Sequence, residues 1–344
     1  MHWLFTDEGS ERFLLDELKR NYPRFHHAQD QERWVTTDAP LDGESERVLL
    51  AFCRQALLNG EATTAASINL WAERVASAVI DQIPAEQPWR LHLWPAYGEG
   101  RAGINRCALI REAVMERLKK RRRALARTLE EGSAPFTAQT SLVQLALRAP
   151  EEGILSVTLG PLPWGQRTIV SAFPEGWVPI AEDKSAPSRA FTKLVEAEQR
   201  MGKAIRKGQS CVDLGACPGG WSYVALARGA RVVAVDRSEL RTDLMTHPKL
   251  HFHCGDAFKF RHDVRVDWLL CDVIAAPQRS IDLLVAWLQE ERMVNFIVSI
   301  KFMGVEDYPL IDQLKARAAP LCSELSLIRL SANKNEICAF GSAI

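Results

Sequence analysis

Cys211-Val212-Asp213-Leu214-Gly215-Ala216-Cys217-Pro218-Gly219-Gly220-Trp221 decides how this chain is read. A short apolar run meets an acidic residue, a glycine-rich turn follows, and Trp221 to Arg228 has the pattern of a helix. Strand, glycine turn and helix in that order present backbone N–H groups to a ligand at the carboxyl end of a parallel strand. Gly215, Gly219 and Gly220 allow positive φ and a close backbone approach that side chains would obstruct. The spacing excludes two commoner nucleotide loops. A dinucleotide turn needs G-x-G-x-x-G, but its second glycine is Cys217 here; a P-loop needs lysine where Trp221 stands. A nucleotide-like ligand without a pyrophosphate fits this turn, and S-adenosylmethionine is such a ligand. The competing reading is a tight turn that serves only the fold.

Downstream, strands and helices alternate. Strands are predicted at Arg231 to Val235, Leu250 to Cys254, Val266 to Cys271 and Asn295 to Ile300, with helices at Ile281 to Leu288 and Tyr308 to Ala318. Glu324 to Leu330 and Ile337 to Phe340 form a last pair, joined by too short a turn to be parallel. The alternation predicts a Rossmann-like, doubly wound α/β sheet with an antiparallel last strand. Ser188 to Met201 is a predicted helix just before the turn, with Ser188 as its N-cap. In such sheets ligands bind beyond the carboxyl ends of the strands. Those ends carry Asp236, Asp256, Asp272 and Lys301. Asp236, roughly 20 residues past the glycine loop, is placed to bond a ribose diol. Asp256 is a candidate acceptor for an adenine amino group. A strand-end Asp is also a common helix cap, whereas a lysine ending an apolar strand seldom serves folding, because burying its charge is costly.

Upstream, the pattern is α+β. Trp3-Leu4-Phe5 is a strand and Glu11 to Arg20 a helix; further helices are predicted over Ser45 to Leu58 and Ala62 to Ile83. Leu91 to Trp94 is a strand, and Arg111 to Arg127 is a helix carrying Lys119-Lys120-Arg121-Arg122-Arg123. Such a run is either a solvated face or a phosphate-tracking patch. Ser141 to Leu147 and Ile154 to Leu159 predict a hairpin, and a Pro/Gly-punctuated connector leads to a boundary near residue 180.

Charge is balanced, 43 Lys and Arg against 43 Asp and Glu, so nucleic-acid affinity would have to come from local asymmetry. No apolar run approaches the roughly 18 residues of a membrane span. The first residues lack a basic signal-peptide region. The eight cysteines are scattered without a C-x-x-C pair, and the eight histidines show no metal spacing. The expectation is a reducing, cytoplasmic protein without a metal, a membrane association or an obligate protein partner.

The run VDLGACPGGW, with SRAFTKL before it and CDV, SIKF and NKNEI after it, resembles the FtsJ-like family of ribose 2′-O-methyltransferases. The similarity covers about 185 to 344 and is greatest to members that act on a cytidine of 23S large-subunit rRNA. Those members carry a ferredoxin-like and THUMP-type RNA-binding region upstream. The resemblance therefore implies a ferredoxin-like region at 1–60, a THUMP-like region and connector at 61–178, and a methyltransferase domain at 179–344. It implies a Lys193, Asp272, Lys301 and Glu336 catalytic tetrad. It also implies S-adenosylmethionine contacts from Ser188, Cys217, Pro218, Gly219, Gly220, Asp236, Asp256 and Asp272.

The residue types suit that chemistry. A ribose hydroxyl is a weak acid and needs a positioned base. A lysine base must be lowered from about 10.4 to roughly 7–8, which desolvation and a second cation can supply. Lys193 is thus expected near Lys301, with Asp272 orienting Lys301 and Glu336 holding one lysine. Cytosine-C5 chemistry would need a nucleophilic cysteine in a Pro-Cys pair, and none occurs. Amino-group methyltransferases carry Asn/Asp-Pro-Pro-aromatic where this chain has Asp272-Val273-Ile274-Ala275. The alternatives are an RNA-binding protein of the same fold without catalysis, or a 2′-O-methyltransferase for tRNA or mRNA caps.

Overall fold

A computed structural model describes residues 1–41, 48–98, 100–132, 137 and 139–344. The chain divides into two compact units, Met1–Trp177 and Val178–Ile344.

The first unit holds two four-stranded sheets. Strands β1 (His2–Phe5), β2 (His27–Gln31), β3 (Trp34–Thr37) and β4 (Gln55–Leu57) form an antiparallel sheet in the order β2-β3-β1-β4, with helix α1 (Glu11–Asn21) inserted after β1. The second sheet uses β5 (Glu61–Thr64), β6 (Trp89–Pro95), β7 (Ser141–Leu147) and β8 (Glu152–Thr158) in the order β5-β8-β7-β6. Helices α2 (Ile68–Gln82) and α3 (Arg101–Arg121) bury Trp71, Val75, Val79, Ile110, Val114 and Leu118 with Val143 and Leu145 of β7. Short helices α4 (Arg123–Arg127) and α5 (Trp164–Arg167) complete the unit.

Three expected helices change here. Of the helix expected over Ser45 to Leu58, residues 45–47 lie outside the described residues, and the rest is not helical. Residues 48–58 are buried on every side, so the run lacks a helical period; the Glu17 carboxylate accepts the Ala51 and Phe52 amides, and Gln55–Leu57 pairs with β1. The helix expected from Ala62 starts at Ile68, because Glu61–Thr64 pairs with β8 and Ser67 caps the helix by accepting the Leu70 amide. The helix expected over Arg111 to Arg127 begins ten residues earlier and breaks at Arg122 (φ −151°, ψ 73°). Within the cation run Arg121 pairs with Glu73, while Lys119, Lys120, Arg122 and Arg123 are exposed. The expected hairpin forms: β7 and β8 pair antiparallel.

The second unit is the doubly wound sheet. Helix α6 (Phe191–Met201) precedes β9 (Ser210–Leu214), α7 (Gly220–Ala227), β10 (Arg231–Asp236), α8 (Thr242–Met245), β11 (Leu250–Cys254), β12 (Val266–Cys271), α9 (Pro277–Gln289), β13 (Met293–Lys301), α10 (Leu310–Ala318), β14 (Cys322–Ile328) and β15 (Glu336–Ala343). The sheet order is β11-β10-β9-β12-β13-β15-β14. Strands β9 to β13 pair in parallel, and β15 runs antiparallel between β13 and β14. The antiparallel last strand is therefore interior to the sheet. Trp221, Trp268, Leu194, Leu270 and Ile297 belong to the core beneath the site. Strand order reverses between β9 and β12, the switch point where open α/β sheets leave a crevice.

Candidate active site

The crevice is built mainly from the glycine turn and the strand ends beside it, with Ser188 and Ala190 before α6 and Arg279 of α9 adding to its lining. Gly215 has φ +75°, and a Cβ there would lie 2.3 Å from Val273 Cγ2; Gly219 has φ +109°, and a Cβ would lie 2.3 Å from Leu244 Cδ1. Only glycine lets the turn pass under the β12 loop and over α8 at those two points. The turn is tied to the next strand as well: Cys217 N–H donates to Asp236 Oδ2 (3.0 Å), and Ser238 N–H donates to Asp236 Oδ1 (3.0 Å). A carboxylate oxygen accepts about two hydrogen bonds, so each Asp236 oxygen keeps capacity for a ligand hydroxyl.

A cavity of 550 Å³ opens here, lined by Ser188, Gly215, Cys217, Pro218, Asp236, Asp256, Asp272 and Lys301, among others. Its size lies within the roughly 300–1,000 Å³ of small-molecule sites. Gly219 and Gly220 do not line it; they form the start of α7. Ser188 is not the N-cap of α6, whose cap is Ala190: the Ser188 carbonyl, not its hydroxyl, accepts the Phe191 amide. Its buried Oγ has no protein partner among the described residues. At the far end, Asp256 accepts the Phe258 amide (2.9 Å) and the Arg237 guanidinium (2.7 Å), and these two bonds hold its carboxyl below the usual range.

The four charged residues of the second cluster come together around one carboxylate. Lys193 Nζ lies 3.2 Å from both Asp272 oxygens and 2.6 Å from Glu336 Oε1. Lys301 Nζ lies 3.2 Å from Asp272 Oδ1 and donates to the Asp272 carbonyl at 2.9 Å. Sheet register does much of this, since Lys301 of β13 sits directly opposite Glu336 of β15. Side-chain exposure is 9% for Lys193 and 7% for Glu336, against 22% for Lys301. Burial opposes the Lys193 charge, yet Asp272 and Glu336 together raise its pKa above the ordinary lysine value. Lys193 is thus a locked cation. Lys301 is the more open amine, held by one hydrogen bond to the Asp272 carbonyl and by an ion pair with its carboxylate. A second cavity, of 710 Å³, reaches the same cluster from the other side through Arg189, Lys334, Asn335 and Ile274.

Asp213 is a buried carboxylate beneath the site that local sequence reasoning passed over. It lies under the glycine turn at the end of β9, fully buried, and accepts from Ser222 Oγ (2.7 Å) in the first turn of α7. Burial, helped by the nearby Asp272 and Asp236 charges, pushes its carboxyl up from 3.8 to about 7. Its place in the quoted stretch was visible, but its burial depends on β10 and β12 flanking β9. A raised carboxyl costs stability when it ionises, so the penalty is absent below about 3.8, grows through the range and is complete above about 7. The shift corresponds to on the order of 4 kcal/mol. Asp213→Asn, which keeps an acceptor for Ser222, is expected to gain stability relative to the unaltered chain as pH rises from 4 to 7. Urea midpoints across that range measure it; a constant difference would refute the assignment.

The thiol next to the Asp272 cluster is no nucleophile for base methylation. Cys271 is fully buried and its thiol is pushed up to about 12 by desolvation. All eight cysteines are free. Among the described residues no group of three or more His, Cys, Asp or Glu side chains could hold a metal ion, and no helix is long and apolar enough to cross a membrane.

Residues 186–303 match the model of the FtsJ-like methyltransferase family. The chain is 30% identical over 226 residues to "Ribosomal RNA large subunit methyltransferase M" of Laribacter hongkongensis, covering 62% of this chain and 63% of that protein. It is 39% identical over 134 residues to the protein of the same name from Halorhodospira halophila, covering 37% and 40%. A third, from Thauera aminoaromatica, is 33% identical over 182 residues, covering 51% and 48%. The matches thus span between 40% and 63% of these relatives' own lengths.

Proposed function

We propose, from the FtsJ-like methyltransferase domain that residues 186–303 form, that this protein methylates a ribose 2′-hydroxyl of RNA with S-adenosylmethionine as donor. The RNA class favoured is large-subunit rRNA, 23S in bacteria, because the relatives carry that name; a cytidine acceptor rests on the family resemblance.

The cofactor cavity fits such a donor. Asp236 presents two partly satisfied oxygens for a diol, Ser188 Oγ is a buried hydroxyl awaiting a partner, and the turn lacks the lysine that a polyphosphate would need. When bound, S-adenosylmethionine supplies a methyl group made electrophilic by its sulfonium. Asp236 would hold the ribose of the donor, Asp256 its adenine end, and Cys217 and Pro218 the backbone wall of the turn. Lys301 would take the proton of the acceptor hydroxyl as the new O–C bond forms. Asp272 would aim Lys301 through both its carboxylate and its carbonyl. Lys193 and Glu336 would hold Asp272 in place. The single observation that carries the reading is the open amine of Lys301 at the junction of two cavities, one suited to the donor and one to an acceptor.

Residues 1–177 are assigned the recruiting role, with exposed Lys119, Lys120, Arg122 and Arg123 available to phosphates. Incubation with tritiated S-adenosylmethionine and RNA from cells lacking the gene should label large-subunit rRNA at a 2′-O position. Calorimetric binding of the donor without any labelling of RNA would favour the non-catalytic RNA-binding alternative. Labelling confined to tRNA or capped RNA would move the substrate class.

A further inference from the structure

Two large apolar side chains stand almost fully in solvent at the mouth of this charged site. Ile274 is 90% exposed and Met303 82% exposed. They lie two residues beyond Asp272 and Lys301, on the loops that follow the neighbouring parallel strands β12 and β13. Single exposed apolar residues are ordinary on a surface. Ile274 differs by its position, because it lines the cavities that hold the residues that must meet the acceptor, while Met303 follows Lys301 by two residues on the adjacent loop. Those cavities are the 550 Å³ and the 710 Å³ ones, so Ile274 stands on the partition between donor and acceptor sides.

The recess itself sets a requirement on the substrate. Lys301 is mostly covered, and Asp272 and Lys193 lie deeper still. A paired A-form strand displays its 2′-hydroxyls only along a shallow groove flanked by neighbouring riboses, so a recessed amine is reached more readily by a nucleotide freed from its stack. The acceptor cavity is framed by exposed Arg189 and Lys334, neither paired with a carboxylate among the described residues, which suits flanking phosphates. Its inner polar group, Asn335, is fixed by accepting from Tyr308 Oη (2.7 Å) and donating to the Phe302 carbonyl (2.9 Å). One nucleotide turned out of its stack would satisfy this geometry. Apolar residues such as Ile and Met are the side chains that enter base steps and hold them apart.

We propose that Ile274, with Met303 on the adjacent loop, is a wedge that enters the base stack next to the acceptor nucleotide and keeps that nucleotide turned out toward Lys301. This rests on the ribose-methylating function above. Ile274 is a positioning residue: it acts on the conformation of the RNA, not on the reacting atoms. Turning out a nucleotide costs most in a paired helix and least in a single strand. The variant should therefore discriminate between those two substrates.

The test compares the unaltered chain, Ile274→Ser and Ile274→Leu on two RNAs of the same sequence around the mapped methylation site, one a hairpin and one single-stranded. A 2-aminopurine placed beside the acceptor reports unstacking by fluorescence. Ile274→Ser is expected to lose kcat/KM about tenfold more on the hairpin than on the single strand, since each 1.4 kcal/mol of unstacking left unsupported is a factor of ten. It should also lose the fluorescence rise, and Ile274→Leu should restore both. Equal losses on the two RNAs, or an unchanged fluorescence rise in Ile274→Ser, would overturn the wedge while methylation by the unaltered chain still upheld the function. A fall in S-adenosylmethionine affinity that matched the activity loss would also overturn it, making Ile274 a wall of the donor cavity. Absence of methyl transfer by the unaltered chain to either RNA would remove the function and the wedge together.

Discussion

Lys301→Ala is expected to abolish methyl transfer while leaving S-adenosylmethionine binding within a few-fold of the unaltered chain. The lysine ends β13 at the point where both cavities meet, and its contacts run to Asp272 and not to the glycine turn. Removing a positioned general base costs about 10²–10⁴-fold in rate. Lys301→Arg separates two explanations. Arginine keeps the positive charge but stays protonated in proteins, so it cannot serve as a base. An Arg variant as inactive as the Ala variant, with calorimetric donor affinity intact, is the expected outcome. Substantial transfer by the Arg variant would mean that the site needs only a cation there. Loss of donor binding in step with activity would place Lys301 in the donor site instead. Since the amine is partly exposed, neither change is expected to alter the melting temperature much.

Lys193→Ala is expected to damage the fold as well as the reaction. Its ammonium is the shared partner of Asp272 and Glu336, and both Lys193 and Glu336 are more than nine-tenths buried. Taking away one member of a buried ionic cluster leaves uncompensated charge and costs about 3–5 kcal/mol. That corresponds to a fall of roughly 6–20 °C in melting temperature for a domain of this size class. Lys193→Met combined with Glu336→Gln removes the closest opposite charges together and should recover much of the stability, because the neutral pair avoids desolvation. Activity should stay lost, since Asp272 would still be released from one side. A double variant as unstable as Lys193→Ala would show that packing, not charge, is at stake. The pH dependence has a defined sign. Lys193 is raised in the folded protein, so its contribution is complete below about 10.5, the ordinary value, and fades as pH passes through the raised one. The stability gap between Lys193→Ala and the unaltered chain should therefore be constant from pH 7 to 9 and close only in strong alkali.

Much of this site was legible because it is built from strand ends. Asp236, Asp272 and Lys301 close apolar runs, and a charged residue there stands out against its neighbours. Two of the misread helices share a cause: local periodicity fails where backbone groups find partners far away in sequence. Val48 to Leu58 reads as a helix until Glu17 and β1 are seen to take its amides. Ser188 looks like a cap until the turn before α6 proves to use its carbonyl. Asp213 sits in the most informative stretch of the chain, yet its charge state depends on burial by flanking strands. Ile274 and Met303 are unremarkable letters, and only exposure beside a charged recess distinguishes them.

The sequence by itself determined the doubly wound sheet, the glycine turn, and which side chains end the strands, because glycine placement, apolar runs and turn length are local properties. Tertiary structure alone decided how those side chains divide their work. Register across β13 and β15 sets Lys301 opposite Glu336, and the packing of α6 brings Lys193 to the same carboxylates. Burial then separates two lysines of identical chemistry: one is locked between two acids, and the other remains open at the junction of two cavities. Solvation and distance between remote segments draw that difference, and neither is a property of any single stretch of chain.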